Sequence, residues 1–144
     1  MRINSLLQVK GTAVATIAPD LTVEASLAAL AEHGVGALVV SEDGEHITGI
    51  ISERDIVRAL HRRGVSALGE QVAAVMTTAV HTCAPEESVD SLMALMTDRR
   101  IRHVPVVVDG VLAGIVSIGD VVKSRIGELE QENTAIIEYI QTGR

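Results

Sequence analysis

The spacing of apolar and polar positions changes period several times along the chain, and each change marks an element. Residues 3–9 carry apolar side chains at helical spacing and Gly11 ends them, which predicts a short leading helix. Residues 13–17 read as extended and stop at Pro19. Thr22 is a natural N-cap, Glu24 sits in the positive first turn, and Leu27, Leu30 and Ala31 form an apolar helix face that Gly34 terminates. Residues 35–40 form an apolar strand, Asp43-Gly44 a turn and residues 47–51 the return strand, after which Ser52 caps a helix running to about residue 61. A connection over 63–77 holds a short apolar helix near 72–76. The order then recurs. Ser88 caps a helix whose buried face is Leu92, Met93, Leu95 and Met96, residues 104–108 form a strand, Asp109-Gly110 a hairpin turn and residues 111–116 the return strand, and Ser117 caps the last helix.

The recurrence is a duplication in the residues themselves. Thr12-Ala13-Val14-Ala15-Thr16-Ile17-Ala18-Pro19 aligns with Thr78-Ala79-Val80-His81-Thr82-Cys83-Ala84-Pro85. Gly49-Ile50-Ile51-Ser52-Glu53-Arg54-Asp55 aligns with Gly114-Ile115-Val116-Ser117-Ile118-Gly119-Asp120. A collinear series of matches at a nearly constant offset indicates two copies of one βαββα unit. A three-stranded unit of this size cannot bury its own apolar face, whereas two copies can cover each other. The fold expected is therefore α/β (α+β), with two repeats about a pseudo-two-fold axis, helices outside, two related clefts between the halves and a long C-terminal helix. The boundaries read as 1–11 for the leading helix, 12–62 and 78–123 for the repeats, 63–77 for the connection and 124–144 for the helical extension.

Composition narrows the function. Of 144 residues, 47% are apolar, yet Phe and Trp are absent and Tyr139 is the single aromatic, so no stacking platform for single-stranded nucleic acid exists. A net charge of −7 argues against binding a phosphate backbone. Residues 1–10 lack the apolar stretch of a signal peptide, no run reaches membrane-spanning length, and Cys83 has no partner for a disulfide. A cytoplasmic protein with neither nucleic acid nor membrane as partner is expected. The five histidines have no metal-ligand spacing with one another or with Cys83, so no metal site is expected. Neither a nucleophile with its base and orienting partner nor a Walker-type phosphate loop can be assembled, which points away from an enzyme.

The paired Gly-x-x-Ser-x-x-Asp junctions, together with Ile101-Arg102-His103-Val104-Pro105-Val106, resemble the cystathionine-β-synthase (CBS) domain pair, or Bateman module, over nearly the whole chain. The resemblance implies a stand-alone regulatory module that dimerises into a flat disc. It implies ligands containing adenosine in the inter-repeat clefts, namely AMP, ADP, ATP or NAD(H), with S-adenosylmethionine a further candidate, and no required cofactor. It also implies modulation of an unknown partner protein. A dimerisation module with no physiological nucleotide and a small nucleotide-acting enzyme are the alternatives. Carried onto this chain, the candidate ligand-binding set is Thr16, Ile17, Ala18, Pro19, Ser52, Arg54, Asp55, Cys83, Arg102, His103, Pro105, Ser117 and Asp120.

The residues offer their own reasons. Ser52 and Ser117 lie where helical N–H groups point outward and attract anions, and Asp55 and Asp120 stand one turn in, able to accept from a ribose diol. The same Ser-x-x-Asp spacing also makes a capping box, and the two roles can coexist. Gly49 and Gly114 allow close backbone approach of a ligand or a neighbouring strand. Arg54 occurs only in the first repeat and Arg102-His103 only in the second, so together they can hold one phosphate chain. Arg99-Arg100 reads instead as a solvated helix terminus, and Cys83 as core or cleft lining. Alanine at Asp55 or Asp120 is expected to weaken binding with little loss of fold. Beyond residue 123, Val122, Ile126, Leu129, Asn133, Ile136 and Ile140 alternate by four and three. That heptad stripe either packs back on its own domain or contributes to a homodimer, which is the expectation adopted.

Overall fold

The structure, a computed structural model, describes residues 1–143. Among these, the elements run α1 (Ile3–Lys10), β1 (Thr16–Ile17), α2 (Val23–His33), β2 (Ala37–Val40), β3 (Gly49–Ser52), α3 (Glu53–Arg63), a 3-10 segment (Gly64–Gly69), α4 (Val72–Val75), α5 (Val89–Arg99), β4 (His103–Val108), β5 (Val111–Ser117) and α6 (Ile118–Thr142). The punctuation residues act as their chemistry requires. Thr22 Oγ1 accepts from Ala25 N at 3.1 Å, Ser88 Oγ from Ser91 N at 3.0 Å, and Gly34 closes α2 in the left-handed conformation at φ 64°. At the β4–β5 turn both Asp109 (φ 51°) and Gly110 (φ 78°) have positive φ, the arrangement that joins two twisted strands tightly.

Strands β1, β2 and β3 form one sheet, with β1 parallel to β2 and β2 antiparallel to β3. Strands β4 and β5 pair antiparallel, and a parallel bridge from Cys83 to Val106 takes the place that β1 has in the first repeat. Each repeat owns a core. Ile17, Val23, Leu30, Leu38, Val40, Ile51 and Ile56 pack with Val72 of α4. Val89, Leu92, Met96, Val104, Val106, Val116 and Val121 pack with Ile3, Leu6 and Leu7 of α1.

The leading helix thus completes the distant half of the molecule, while the connecting helix α4 completes the first. The symmetry extends to single hydrogen bonds. Ile3 N donates to Glu87 O and Asn4 N to Pro85 O, both at 2.9 Å. Val72 N donates to Leu21 O at 2.7 Å and Ala73 N to Pro19 O at 3.0 Å, at the matching places of the other half.

One expectation is corrected and one open choice, between ligand and neighbouring chain at the junction glycines, falls to the chain. The buried face of α2 is Val23, Ser26 and Leu30, whereas Leu27 is 37% exposed and Ala31 lies outside. Ser26 hides in the apolar pattern because its hydroxyl folds back onto Val23 O at 2.5 Å and needs no other partner. The glycines of the two junctions face protein. A Cβ on Gly49 would lie 2.7 Å from Met76 Sδ and 2.8 Å from Thr77 O, and one on Gly114 would lie 3.0 Å from Leu7 Cδ2. They let α4 and α1 seat against their sheets.

The stripe of α6 does not fold back on the domain. Ile126 is 51% exposed and Ile140 73% exposed, and Leu129 and Ile136 are exposed with them. Only the start of this helix is buried, at Val121. Met1 reaches it at the Ser124 hydroxyl, and the terminal amine lies 3.7 Å from Glu128 Oε1.

Candidate functional site

Both Ser-x-x-Asp junctions are complete capping boxes. Asp55 Oδ2 accepts from Ser52 N at 2.9 Å and from the Ser52 hydroxyl at 3.0 Å, and Oδ1 accepts the Thr77 hydroxyl at 3.0 Å. Asp120 Oδ2 accepts from Ser117 N at 2.8 Å, and Lys10 Nζ lies 2.5 Å from the same oxygen and 2.5 Å from Ile115 O. Burial raises the Asp120 pKa, but the Lys10 hydrogen bond, the Ser117 bonds and the lysine charge together hold it below the ordinary carboxylate value. Each aspartate is the third helical residue of its box, and alanine there removes the bond that it accepts from the N-cap N–H.

Between the repeats lies a cleft of about 690 Å³. Ser52, Arg54 and Asp55 reach it from the β3–α3 junction, Arg102 and His103 from the start of β4, and Ser117 from the β5–α6 junction. Thr77 and His81 line it from the chain that leads into the second repeat. Within each half a related bond ties the junction to the strand entry beside it, Glu53 N to Gly36 O at 3.0 Å in the first and Ile118 N to Arg102 O at 2.8 Å in the second. His103 stands against Gly36, whose added Cβ would come within 3.3 Å of its Cε1. Burial foremost, with the Lys10 charge second, lowers the His103 pKa, so the ring is neutral at pH 7 and offers one donor and one acceptor.

Three further arginines line the same cleft: Arg58, Arg99 and Arg100. Arg54 Nη1 donates to Arg100 O at 3.2 Å. Arginines outnumber the lining carboxylates five to two, and among the described residues none of the five has a carboxylate within 4.0 Å. Arg99 and Arg100 are therefore cleft residues as well as helix-end cations, which corrects the sequence expectation. Arg58 carried a legible signal: it lies four residues after Arg54, on the same face of a helix.

The remaining candidates lie elsewhere. Ile17 and Cys83 are core residues at 6% exposure each, and neither lines the cleft. Burial pushes the Cys83 thiol up to about 12, so it is inert at neutral pH. Pro105 is buried in β4, where its carbonyl accepts from Cys83 N at 3.0 Å. Thr16 is exposed, and the Ala18 and Pro19 carbonyls take part in backbone bonds that fix the turn into α2. Asp120 faces Lys10 outside the cleft lining. The two junctions are thus unequal: Asp55 opens on a cleft rich in arginine, while the related Asp120 is held by a lysine.

Asp43, Glu45 and His46 bring ligand atoms together at the β2–β3 turn, all exposed. Asp43 there accepts from His46 N and Glu45 N at 2.8 Å and meets His46 Nδ1 at 2.7 Å, so its oxygens build the turn. No helix among the described residues is long and apolar enough to cross a membrane.

The CBS domain profile matches residues 8–62 and 72–127. The chain belongs to the CBS-domain family. The CBS domain-containing protein CBSX3, mitochondrial, of Arabidopsis thaliana is 42% identical over 128 residues, which cover 86% of this chain and 62% of that protein, less than two thirds of its length. A CBS-domain protein of Agrobacterium tumefaciens superposes with a TM-score of 0.84 at 43% identity, covering 87% of this chain and 99% of that one. Two further CBS structures hold ligands. One is a Pyrobaculum aerophilum protein complexed with AMP (28% identity, TM-score 0.74, 83% and 89% coverage). The other is the domain pair of protein MJ0100 with 5′-methylthioadenosine and S-adenosyl-L-methionine (25% identity, TM-score 0.78, 89% and 98% coverage). The tandem CBS architecture read from the duplication is thereby established.

Proposed function

We propose that this protein is a regulatory sensor that binds an adenine nucleotide in the Asp55 cleft and passes its occupancy to a partner protein. The observation that carries the reading is the convergence, in a cleft of about 690 Å³, of a Ser-x-x-Asp helix start from one repeat with Arg102 and His103 from the other. That volume lies within the range of small-molecule sites. The start of α3 presents backbone N–H groups, arginine offers paired donors to phosphate oxygens, and Asp55 Oδ1 retains acceptor capacity for a sugar hydroxyl beside its bond to Thr77. AMP in the Pyrobaculum relative supports the ligand class. Regulation, not catalysis, fits a cleft whose Asp55 is engaged in a cap and whose buried thiol lies outside it.

Thermal unfolding of the full chain with AMP, ADP, ATP, NAD(H) and S-adenosylmethionine tests the reading. A ligand held at 100 times its Kd stabilises the native state by about 2.7 kcal/mol. Asp55→Asn, which keeps an oxygen for the Ser52 N–H, is expected to remove most of that shift. A melting temperature that none of these ligands moves would overturn the proposal.

A further inference from the structure

We infer that the Asp55 cleft selects a nucleotide carrying a phosphate chain, a nucleoside triphosphate, over a monophosphate or a cationic adenosyl compound, with Arg58, Arg99 and Arg100 as the specificity-determining residues. The inference rests on the adenine-nucleotide reading and adds the ligand's charge class to it.

The first support is the placement of charge. In a chain of net charge −7, five of the ten arginines meet at one cleft, drawn from α3, the end of α5 and the start of β4. Arg54 is held against the Arg100 carbonyl, and among the described residues neither arginine has a carboxylate within 4.0 Å. Five guanidinium groups against two carboxylates leave the cleft with excess positive charge, and like charges oppose one another. A polyanion relieves it.

The second is the backbone at Arg100. This residue closes α5 in the left-handed region at φ 53°, where the first repeat has Gly34 at φ 64°. An arginine is costly there and glycine is not. A long cation retained in a conformation that disfavours it, at the rim of a cleft, points to work done by its side chain.

The third is the shape. A second hollow of about 280 Å³ is lined by Arg54, Arg100 and Arg102, all three shared with the main cleft, together with Met96, Thr97 and Ile101. Arg54, Arg100 and Arg102 therefore border open space in both hollows, which offers room for further phosphates beside the arginines. A sulfonium cation would enter a field of its own sign.

Isothermal titration of the full chain in chelator-containing buffer with adenosine, AMP, ATP and S-adenosylmethionine tests this, alongside inorganic phosphate and tripolyphosphate. ATP is expected to bind at least tenfold tighter than AMP, with a steeper salt dependence, and S-adenosylmethionine at least tenfold weaker than AMP. Arg58→Gln and Arg100→Gly are each expected to cost about tenfold in ATP affinity and less than twofold in AMP affinity. AMP binding as tightly as ATP, S-adenosylmethionine binding as tightly as AMP, or equal losses of AMP and ATP in the variants would overturn the selectivity while leaving the adenine site intact. If adenosine and its nucleotides all fail to bind while tripolyphosphate still binds tighter than phosphate, the adenine reading falls and the arginine cluster stands.

Discussion

The glycines that open the two junction motifs should not be equally replaceable. An alanine at 49 places its methyl 2.7 Å from Met76 Sδ and 2.8 Å from the Thr77 carbonyl, and the second of these atoms is backbone. Thr77 exchanges both backbone hydrogen bonds with Ile50, at 2.8 and 2.9 Å, and gives its hydroxyl to Asp55. The segment must move and strain these bonds. Overpacking of this kind costs about 1–3 kcal/mol, and each hydrogen bond weakened adds up to about 1 kcal/mol. A total near 3 kcal/mol is expected for Gly49→Ala. At Gly114 the close atoms are the two methyls of Leu7, at 3.0 and 3.2 Å, on a helix near the chain terminus. A leucine can turn aside, so Gly114→Ala should cost about 1 kcal/mol. At about 3 °C per kcal/mol for a chain of this size, melting temperatures should fall by roughly 9 °C and 3 °C. Denaturant titrations give the free energies independently. Because Thr77 lines the cleft, Gly49→Ala should also weaken nucleotide binding where Gly114→Ala does not. Equal losses in the two variants, or a Gly49→Ala protein within 1 kcal/mol of the parent, would refute the close approach as the reason for glycine.

Lys10→Met should destabilise the protein by about 1 kcal/mol at neutral pH. The Asp120 pKa is depressed on folding, so the benefit of Lys10 is fully present above the ordinary value of 3.8 and is lost as pH falls through the lower folded value; the stabilities of parent and variant should converge near the acid end of a pH series. Arg100→Gly should melt about 2 °C higher than the parent, since it relieves a left-handed arginine; a lower melting temperature would show that the side chain supports the fold. Cys83, buried and with its thiol pushed up to about 12, should react with a thiol reagent at pH 8 only as fast as the protein opens, and rapid labelling under native conditions would contradict its place in the core. A chain ending at Lys123 loses the exposed stripe of α6; sedimentation should then show at least tenfold weaker self-association, and an unchanged dimer constant would remove this helix from any subunit interface.

Local backbone signals in the sequence were reliable where one residue type meets one geometric need. Thr22, Ser52, Ser88 and Ser117 as N-caps, Gly34 as a left-handed stop and Asp109-Gly110 as a tight turn all follow from single-residue chemistry. The tandem repeat was legible because the same punctuation recurs in register. Long-range placement was not. Nothing in residues 3–10 states which repeat α1 will cover, since an amphipathic turn fits either sheet and chain order misleads. Arg99 and Arg100 read as solvated helix-end charges because sequence shows the helix terminus but not the cleft behind it. Cys83 was read as core or cleft lining because its strand was visible while the side it faces was not, and it proves to be core.

The equivalent positions of the two halves divide into two kinds, and the division follows from what each kind of atom must do. Main-chain partners coincide: Val23 N with Glu70 O matches Val89 N with Met1 O, and Gly36 O with Glu53 N matches Arg102 O with Ile118 N. A buried backbone group left unpaired is costly, so every bond of the duplicated frame must be satisfied in both copies. Side chains at the junctions are under no such demand, and they diverge. Gly34 stands opposite Arg100, Gly36 opposite Arg102, and Arg54 opposite Gly119. Each exchange adds a cation to the cleft that holds Asp55, whereas at Asp120 the added cation is Lys10, which the carboxylate already holds. A symmetric scaffold thus carries an asymmetric distribution of charge: among the described residues the arginines beside Asp55 have no carboxylate within 4.0 Å, whereas the related aspartate, Asp120, has its charge balanced by Lys10.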